Sequence, residues 1–452
     1  MDKNILKREH NLFATICIVV GFVVGTGIFW RPGRVLDDVA GDVGLGLWAW
    51  LLGGLLILTC VYMFSVFATR YEKVHGMVDY AEVILGKKFG YLAGWFFFMM
   101  YQTAGYAIIA WISASFTATL AGHQNVLNST FVFSLAAFYM LATFLINYFF
   151  EKLPIKLNNL TTILRLIPLV LMGVGGLFWA FFNNPTSTEP ITQEISGSPS
   201  FLAAVFSTVF AYNGWQAAVV FNSEVKNTKK KFPIALMGGF LLVVVIYILY
   251  FYGLVAIGDA SLLIANNQLG TRAAFASLFG DFASSAIMIF VIISGLGILN
   301  MCCRGMSRSL YALARRNLGP APKKLVQLKN GIPKNSMLVC LLVSFLWFLV
   351  IYGNHSGWFG TFRFDLPDFY NMVFFFLLIP MFIGFFKKNF QSKKIHWFNR
   401  LVAPFLAAFS AGFMIFALLI ASPINALVYG VVFIALAAIG FIFIGEKNEQ
   451  KT

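Results

Sequence analysis

The sequence predicts an all-α membrane protein with twelve transmembrane helices, and three observations carry that prediction. The chain of 452 residues is 59% hydrophobic and only 11% charged, whereas soluble domains carry about 25% charged residues. Its mean hydropathy is +0.80, and apolar runs of about 20 residues, long enough to cross a bilayer, recur from end to end. The basic residues are sorted. With the first segment (Lys3, Lys7, Arg8) on the cytoplasmic side and twelve alternating spans, cytoplasmic segments hold 28 of the 33 lysines and arginines. That bias is the positive-inside rule, and it puts both termini in the cytoplasm.

Taken in order, the spans fall at 11–36, 43–68, 90–121, 131–150, 158–182, 200–224, 234–257, 281–314, 337–353, 368–386, 401–421 and 424–444. No long polar region separates them, so residues 1–452 read as one membrane domain. The opening MDKNILKREHNLF is followed by no small-residue cleavage site, so span 1 is expected to be retained. The net charge of +15 follows from this topology and from contact with anionic lipid. It does not indicate a nucleic-acid partner. The five cysteines contain no C-x-x-C pair, and the five histidines lack ligand spacing. With no nucleophile–base pair, phosphate loop or metal cluster, the chain reads as neither an enzyme nor a cofactor binder.

Two spans carry helix-weakening residues at their centres. Span 1 contains GFVVGTGIFWRPGRV, with Gly21, Gly25 and Gly27 close together and Pro32-Gly33 behind them. Span 6 contains FSTVFAYNGWQAAVVFNSE, with Tyr212-Asn213-Gly214 at its middle. In hydrocarbon, freed backbone groups persist only where protein buries them or a cavity hydrates them. The two breaks hold corresponding positions in two five-span halves, 11–182 and 200–388, with two accessory spans at 401–444. Paired interruptions of this kind point to an inverted 5+5 repeat with a binding site near the bilayer midplane. The amide groups that open the second half of span 1 suit a carboxylate. Carbonyls ending the first halves of spans 1 and 6 suit an ammonium group, and together they match the head of an α-amino acid.

Several stretches resemble the amino acid–polyamine–organocation superfamily. VGFVVGTGIFWRPGRVL is similar to its span-1 signature, and FAYNGWQ followed by SEVKNTKKKFP is similar to its span-6 motif. RLIPLVLMGVGGLFW matches its span 5, and SGLGILNMCCRGMSRSLYALARRNLGP its span 8. Within the superfamily the likeness is to the L-amino acid transporter family, particularly its bacterial serine/threonine exchangers, and it runs from about residue 11 to 390.

The resemblance implies a carboxylate site on the amides of Thr26 and Gly27, with Gly25 allowing the turn. It implies an ammonium site on carbonyls near Val23 and Val24 and on those of Phe210, Ala211 and Asn213, beside Gly214. Tyr212 or Trp215 would line or gate the pocket, or else serve as packing or interfacial residues. Arg165 stands where these transporters usually have lysine, and that ammonium occupies the place of a sodium ion in sodium-coupled relatives. Its expected partners are carbonyls of the span-1 break and a span-8 hydroxyl, Ser294. The competing reading is a side chain that snorkels to the cytoplasmic interface. Glu224 is either a gate residue or an interface charge. Thr26 replaces the family's serine, and Asn213 replaces a common aspartate, which favours neutral over cationic substrates.

These features predict sodium-independent exchange of small or medium neutral amino acids such as serine and threonine, by alternating access. Proton-coupled symport and a non-transporting amino acid sensor are the alternatives. The expected partners are amino acid substrates and the lipid bilayer, with the oligomeric partner left open. The lack of an external cysteine and the compact ends predict a bacterial inner-membrane protein.

Overall fold

The computed structural model describes residues 11–71, 76–123, 129–150, 153, 161, 164–183, 199–219, 225, 228–329 and 331–443. The chain runs through helices α1 (Leu12–Val23), α2 (Gly27–Trp30), α3 (Pro32–Asp38), α4 (Val43–Arg70), α5 (Met77–Leu85), α6 (Lys87–Phe96), α7 (Thr103–Leu120), α8 (Thr130–Phe149), α9 (Leu166–Asn183) and α10 (Phe201–Tyr212). It continues through α11 (Trp215–Ala218), α12 (Thr228–Ile257), α13 (Ala260–Ala265), α14 (Asn267–Arg315), α15 (Pro322–Leu325), α16 (Lys334–His355), α17 (Leu366–Asn389), α18 (Ala403–Ala421) and α19 (Pro423–Ile442). Short π-helical turns join α6 to α7 and lead into α18. The long α14 is broken by Gly280, whose φ of +81° ends one helix and starts the next.

The helix starts are written locally. Asn11, Asp42, Ser129 and Ser200 each accept a backbone N–H from the first turn that follows. Such caps satisfy donors that no carbonyl can reach. Eleven helices among the described residues are long and apolar enough to cross a membrane. The segment missing from that set is span 6, which the break divides into α10 and α11 and whose continuation at 220–224 lies outside the described residues. Bulky side chains such as Phe182, Phe405, Leu427 and Ile434 stand exposed on these helices. In water they would drive aggregation, whereas lipid tails solvate them without cost.

The chain divides into two compact units. One comprises residues 1–90, 169–267 and 375–421, and the other 91–168, 268–374 and 422–452. Spans 1, 2, 6 and 7 therefore belong to the first unit, and spans 3, 4, 8 and 9 to the second. Each five-span half contributes its first two spans to one unit and its third and fourth to the other.

Candidate functional site

Both interruptions are present at the residues that announce them. In span 1 the last bond of the first half is Val24 N–H to Val20 O at 2.8 Å. Val24 then turns to an extended ψ of 105°, and the chain re-enters helix at Gly27. The new ladder begins with Trp30 N–H to Thr26 O and Arg31 N–H to Gly27 O. The amides of Thr26, Gly27 and Ile28 precede that ladder and have no acceptor one turn back. In span 6, Asn213 is extended (ψ 160°) and Gly214 takes φ +114°, a left-handed conformation that strains any residue with a Cβ. Gly25 does not adopt a positive φ; the left-handed position of the two breaks is Gly214.

The breaks meet reciprocally. A Cβ on Gly27 would stand 2.7 Å from Ala211 Cα and 3.0 Å from Phe210 O. A Cβ on Gly214 would stand 2.1 Å from Phe22 O and 3.2 Å from Val23 Cα. Each break thus uses a glycine to admit the backbone of the other. Val23, Val24, Thr26, Gly27, Phe210, Ala211 and Tyr212 are all buried there, while Gly25, Asn213 and Gly214 are half-buried.

Two residues that sequence reasoning missed hold this crossing together. The Tyr247 hydroxyl lies 3.1 Å from Val23 O and 3.2 Å from Ala211 O, so one donor from span 7 serves a carbonyl from each break. Its proton is shared between them, because a phenol has only one to give. The second is Asn267. Pro32 has no N–H, and at Gly33 the side chain of Asn267 inserts into the helical ladder. Gly33 N–H donates to Asn267 Oδ1 at 2.8 Å, and Asn267 Nδ2 donates to Phe29 O at 2.6 Å. The carboxamide replaces the bond that Gly33 would otherwise make to Phe29. Gly33 also lets the loop helix α13 close in, since a Cβ there would lie 2.1 Å from Leu263 O. Neither residue carried a local signal. A tyrosine within an apolar span and an asparagine in a loop are ordinary until the distant carbonyl or amide groups that each one meets are known.

The two candidate gate aromatics are packed. Tyr212 donates its hydroxyl to Trp50 O at 2.9 Å, and its ring lies against Trp50, Phe240 and Tyr247. Trp215 is 1% exposed and meets Phe64 edge-on at 5.0 Å. Gln216 accepts the N–H of Gly214 at 3.1 Å, capping the break from within its own strand of chain.

Past the break, α3 is tied to α10 by a buried carboxylate. Asp38 accepts the Ser207 hydroxyl at 2.6 Å on one oxygen and Arg34 Nε at 3.1 Å on the other. Burial pushes its pKa above the ordinary 3.8, against the opposing pull of Arg34, Ser207 and Arg31. Arg31, 4% exposed, lays its guanidinium 5.2 Å over the Phe210 ring.

Arg165 belongs to the other unit and is completely buried at 0% exposure, so it does not extend to an interface. It sits one residue before α9. Its Nε and Nη2 donate to Thr161 O and Thr161 Oγ1, both at 3.3 Å. The expected pairing with Ser294 is not formed, because the guanidinium turns back onto its own preceding turn. Ser294 Oγ is buried and makes no hydrogen bond. Span 8 is approached through Thr161 instead: a Cβ on Gly297 would lie 2.2 Å from Thr161 Oγ1. Glu224 lies outside the described residues.

Comparison with known proteins agrees with the fold class and with the family resemblance. Residues 11–444 match the family model described as amino acid permease. The chain belongs to that family, within the amino acid–polyamine–organocation superfamily. The serine/threonine exchanger SteT of Bacillus subtilis is 29% identical over 378 residues, covering 84% of each chain. The glutamate/serine transporter AimA of the same organism is 26% identical, over 77% of this chain and 67% of its own. The human b(0,+)-type amino acid transporter 1 is 24% identical, over 95% and 86%. These relatives are transporters, not enzymes, and the permease is a multi-pass membrane protein.

Proposed function

We propose that this permease exchanges small neutral amino acids across the cell membrane without sodium, serine and threonine among them. The observation that carries the reading is the reciprocal contact of the two breaks, Gly27 on Ala211 and Gly214 on Phe22. It gathers donors and acceptors on one buried crossing. The amides of Thr26 and Gly27 bind the carboxylate, and the carbonyls near Val23, Val24, Phe210, Ala211 and Asn213 take the ammonium. Thr26 keeps the hydroxyl of the family's usual serine and adds a methyl that trims the space beside it. Arg165 supplies a permanent positive charge in place of a coupling cation, since arginine stays protonated in proteins. Both termini lie in the cytoplasm, so the second half of span 1 and the first half of span 6 face outward. Serine is a substrate in the names of both relatives, the serine/threonine exchanger SteT and the glutamate/serine transporter AimA, which supports serine as a substrate here.

The test is counter-flow in proteoliposomes. Vesicles loaded with unlabelled serine should take up labelled serine, empty vesicles should not, and sodium should be irrelevant. Uptake into empty vesicles that collapses with a protonophore would overturn exchange. One observation favours that second reading, proton-coupled symport: Asp38 is a buried carboxylate with a raised pKa that joins spans 1 and 6.

A further inference from the structure

A polar pocket lies in the second unit, where the end of span 4 meets spans 8 and 9. Asn147 of α8, Ser307 and Arg308 of α14 and Pro333 before α16 line it, and it encloses about 30 Å3, room for about two water-sized groups. Asn147 is 3% exposed. Its Nδ2 donates to Thr143 O at 2.8 Å and to Asn300 Oδ1 at 2.6 Å. A backbone carbonyl can only accept, so that contact fixes which end of the carboxamide is nitrogen. The other end, Oδ1, is buried and accepts no hydrogen bond. A buried acceptor without a donor is costly, so this one calls for a donor from outside the chain. The rest of the pocket suits an anion. Arg308 is exposed, and Arg304, which already has another partner, lines the pocket one turn before it on the same helix face. Pro333 starts α16 with no side-chain cap, so the positive end of a 22-residue helix adjoins the pocket. No acidic residue stands among the described residues of the lining. Phe150 completes the wall, and both it and Phe149 are exposed as lipid-facing residues are.

The occupant these groups describe has a negative charge, a neutral hydrogen-bond donor and an apolar body. We propose that the pocket binds an anionic phospholipid by its phosphoglycerol headgroup. A glycerol hydroxyl donates to Asn147 Oδ1, and the phosphate lies against Arg308 and the start of α16. The topology proposed above puts this end of the spans in the cytoplasm, so the lipid comes from the inner leaflet. An ammonium headgroup would also donate to Asn147, but it would bring a second positive charge beside Arg308 and the helix end.

The probe is a pair of lipids with the same charge and the same chains. Dioleoylphosphatidylglycerol has free hydroxyls on its headgroup, and dioleoylphosphatidylmethanol has none. The delipidated full-length protein is titrated with each in detergent, and tightly bound copies are counted by native mass spectrometry. The glycerol lipid should fill one tight site about fivefold more strongly than the methyl lipid, the worth of one hydrogen bond. Asn147→Leu should bring the two lipids level, while Arg308→Gln should weaken both by about fivefold or more and keep their ratio. Level affinities in the wild type, an undiminished ratio in Asn147→Leu, or unchanged binding in Arg308→Gln overturns the site. Arg308 is exposed, so its variant and the wild-type ratio decide the matter if Asn147→Leu fails to fold. Soluble glycerol phosphate at the same concentration should not displace the lipid, and full displacement would overturn a lipid as the occupant.

Discussion

Replacing Gly214 with alanine puts the crossing of spans 1 and 6 to its strictest test. The new Cβ meets two obstacles. The residue holds φ +114°, where a Cβ costs roughly 1–2 kcal/mol. The methyl would also stand 2.1 Å from Phe22 O and 2.8 Å from Phe22 C, both backbone atoms that no rotamer change can move. Overpacking of this kind costs about 1–3 kcal/mol. Together the variant loses about 2–5 kcal/mol, a large share of the ~5–15 kcal/mol that holds a typical domain, or it relieves the clash by parting the breaks. Gly86→Ala is the matched control, for it has φ +93° but nothing within 4 Å of the added carbon. The two variants are compared by thermal unfolding in detergent and by the KM for serine counter-flow. Gly86→Ala should show the smaller fall in Tm and retain its KM. Gly214→Ala should lose several degrees more and raise KM at least tenfold or abolish transport. Equal effects in the two variants would refute the argument that the breaks are in contact.

Other outcomes follow from the same geometry. Tyr247→Phe removes the donor shared by Val23 O and Ala211 O and should cost about 1–3 kcal/mol, read as a lowered Tm with a raised KM; a variant matching wild type on both counts would show these carbonyls do not depend on it. Arg165→Ala leaves a buried hole and removes the fixed charge, and should abolish or uncouple turnover, whereas unaltered counter-flow kinetics would confine the residue to packing. Asp38 has a folded pKa above its unfolded value of 3.8, so its contribution to stability is full below that pH and is lost as pH rises towards the folded pKa. The Tm of Asp38→Asn should therefore be flatter than wild type across mildly acid pH, and parallel curves would remove the group from the pH response.

Span number, the two broken helices and the family could all be read from the sequence because each is a local property. Apolar length, charge bias and a glycine placed mid-span need no knowledge of neighbours. The break in span 6 was legible to the tripeptide Tyr212-Asn213-Gly214. The division of labour among glycines was not, since only the folded structure distinguishes Gly214, which needs both its conformation and the space, from Gly27, which needs the space alone. Arg165 shows the same limit. Its place inside an apolar stretch marked it, but which hydroxyl it would meet depended on how Thr161 seats against Gly297. Tyr247 and Asn267 had no sequence mark at all, because each is defined by a bond to a distant carbonyl.

The carboxamide of Asn267 gives the second half of span 1 a mechanical property that an ordinary helix lacks. A self-contained helix can tilt or fray while its neighbours stay still. Residues 27–38 cannot, because one rung of their ladder belongs to another part of the chain. Any rotation of this half-helix must drag the stretch from α13 to Asn267 with it, or first break two short hydrogen bonds. The loop preceding span 8 is thereby turned from a connector into a lever, and changes in its length should alter transport as surely as changes at the crossing itself.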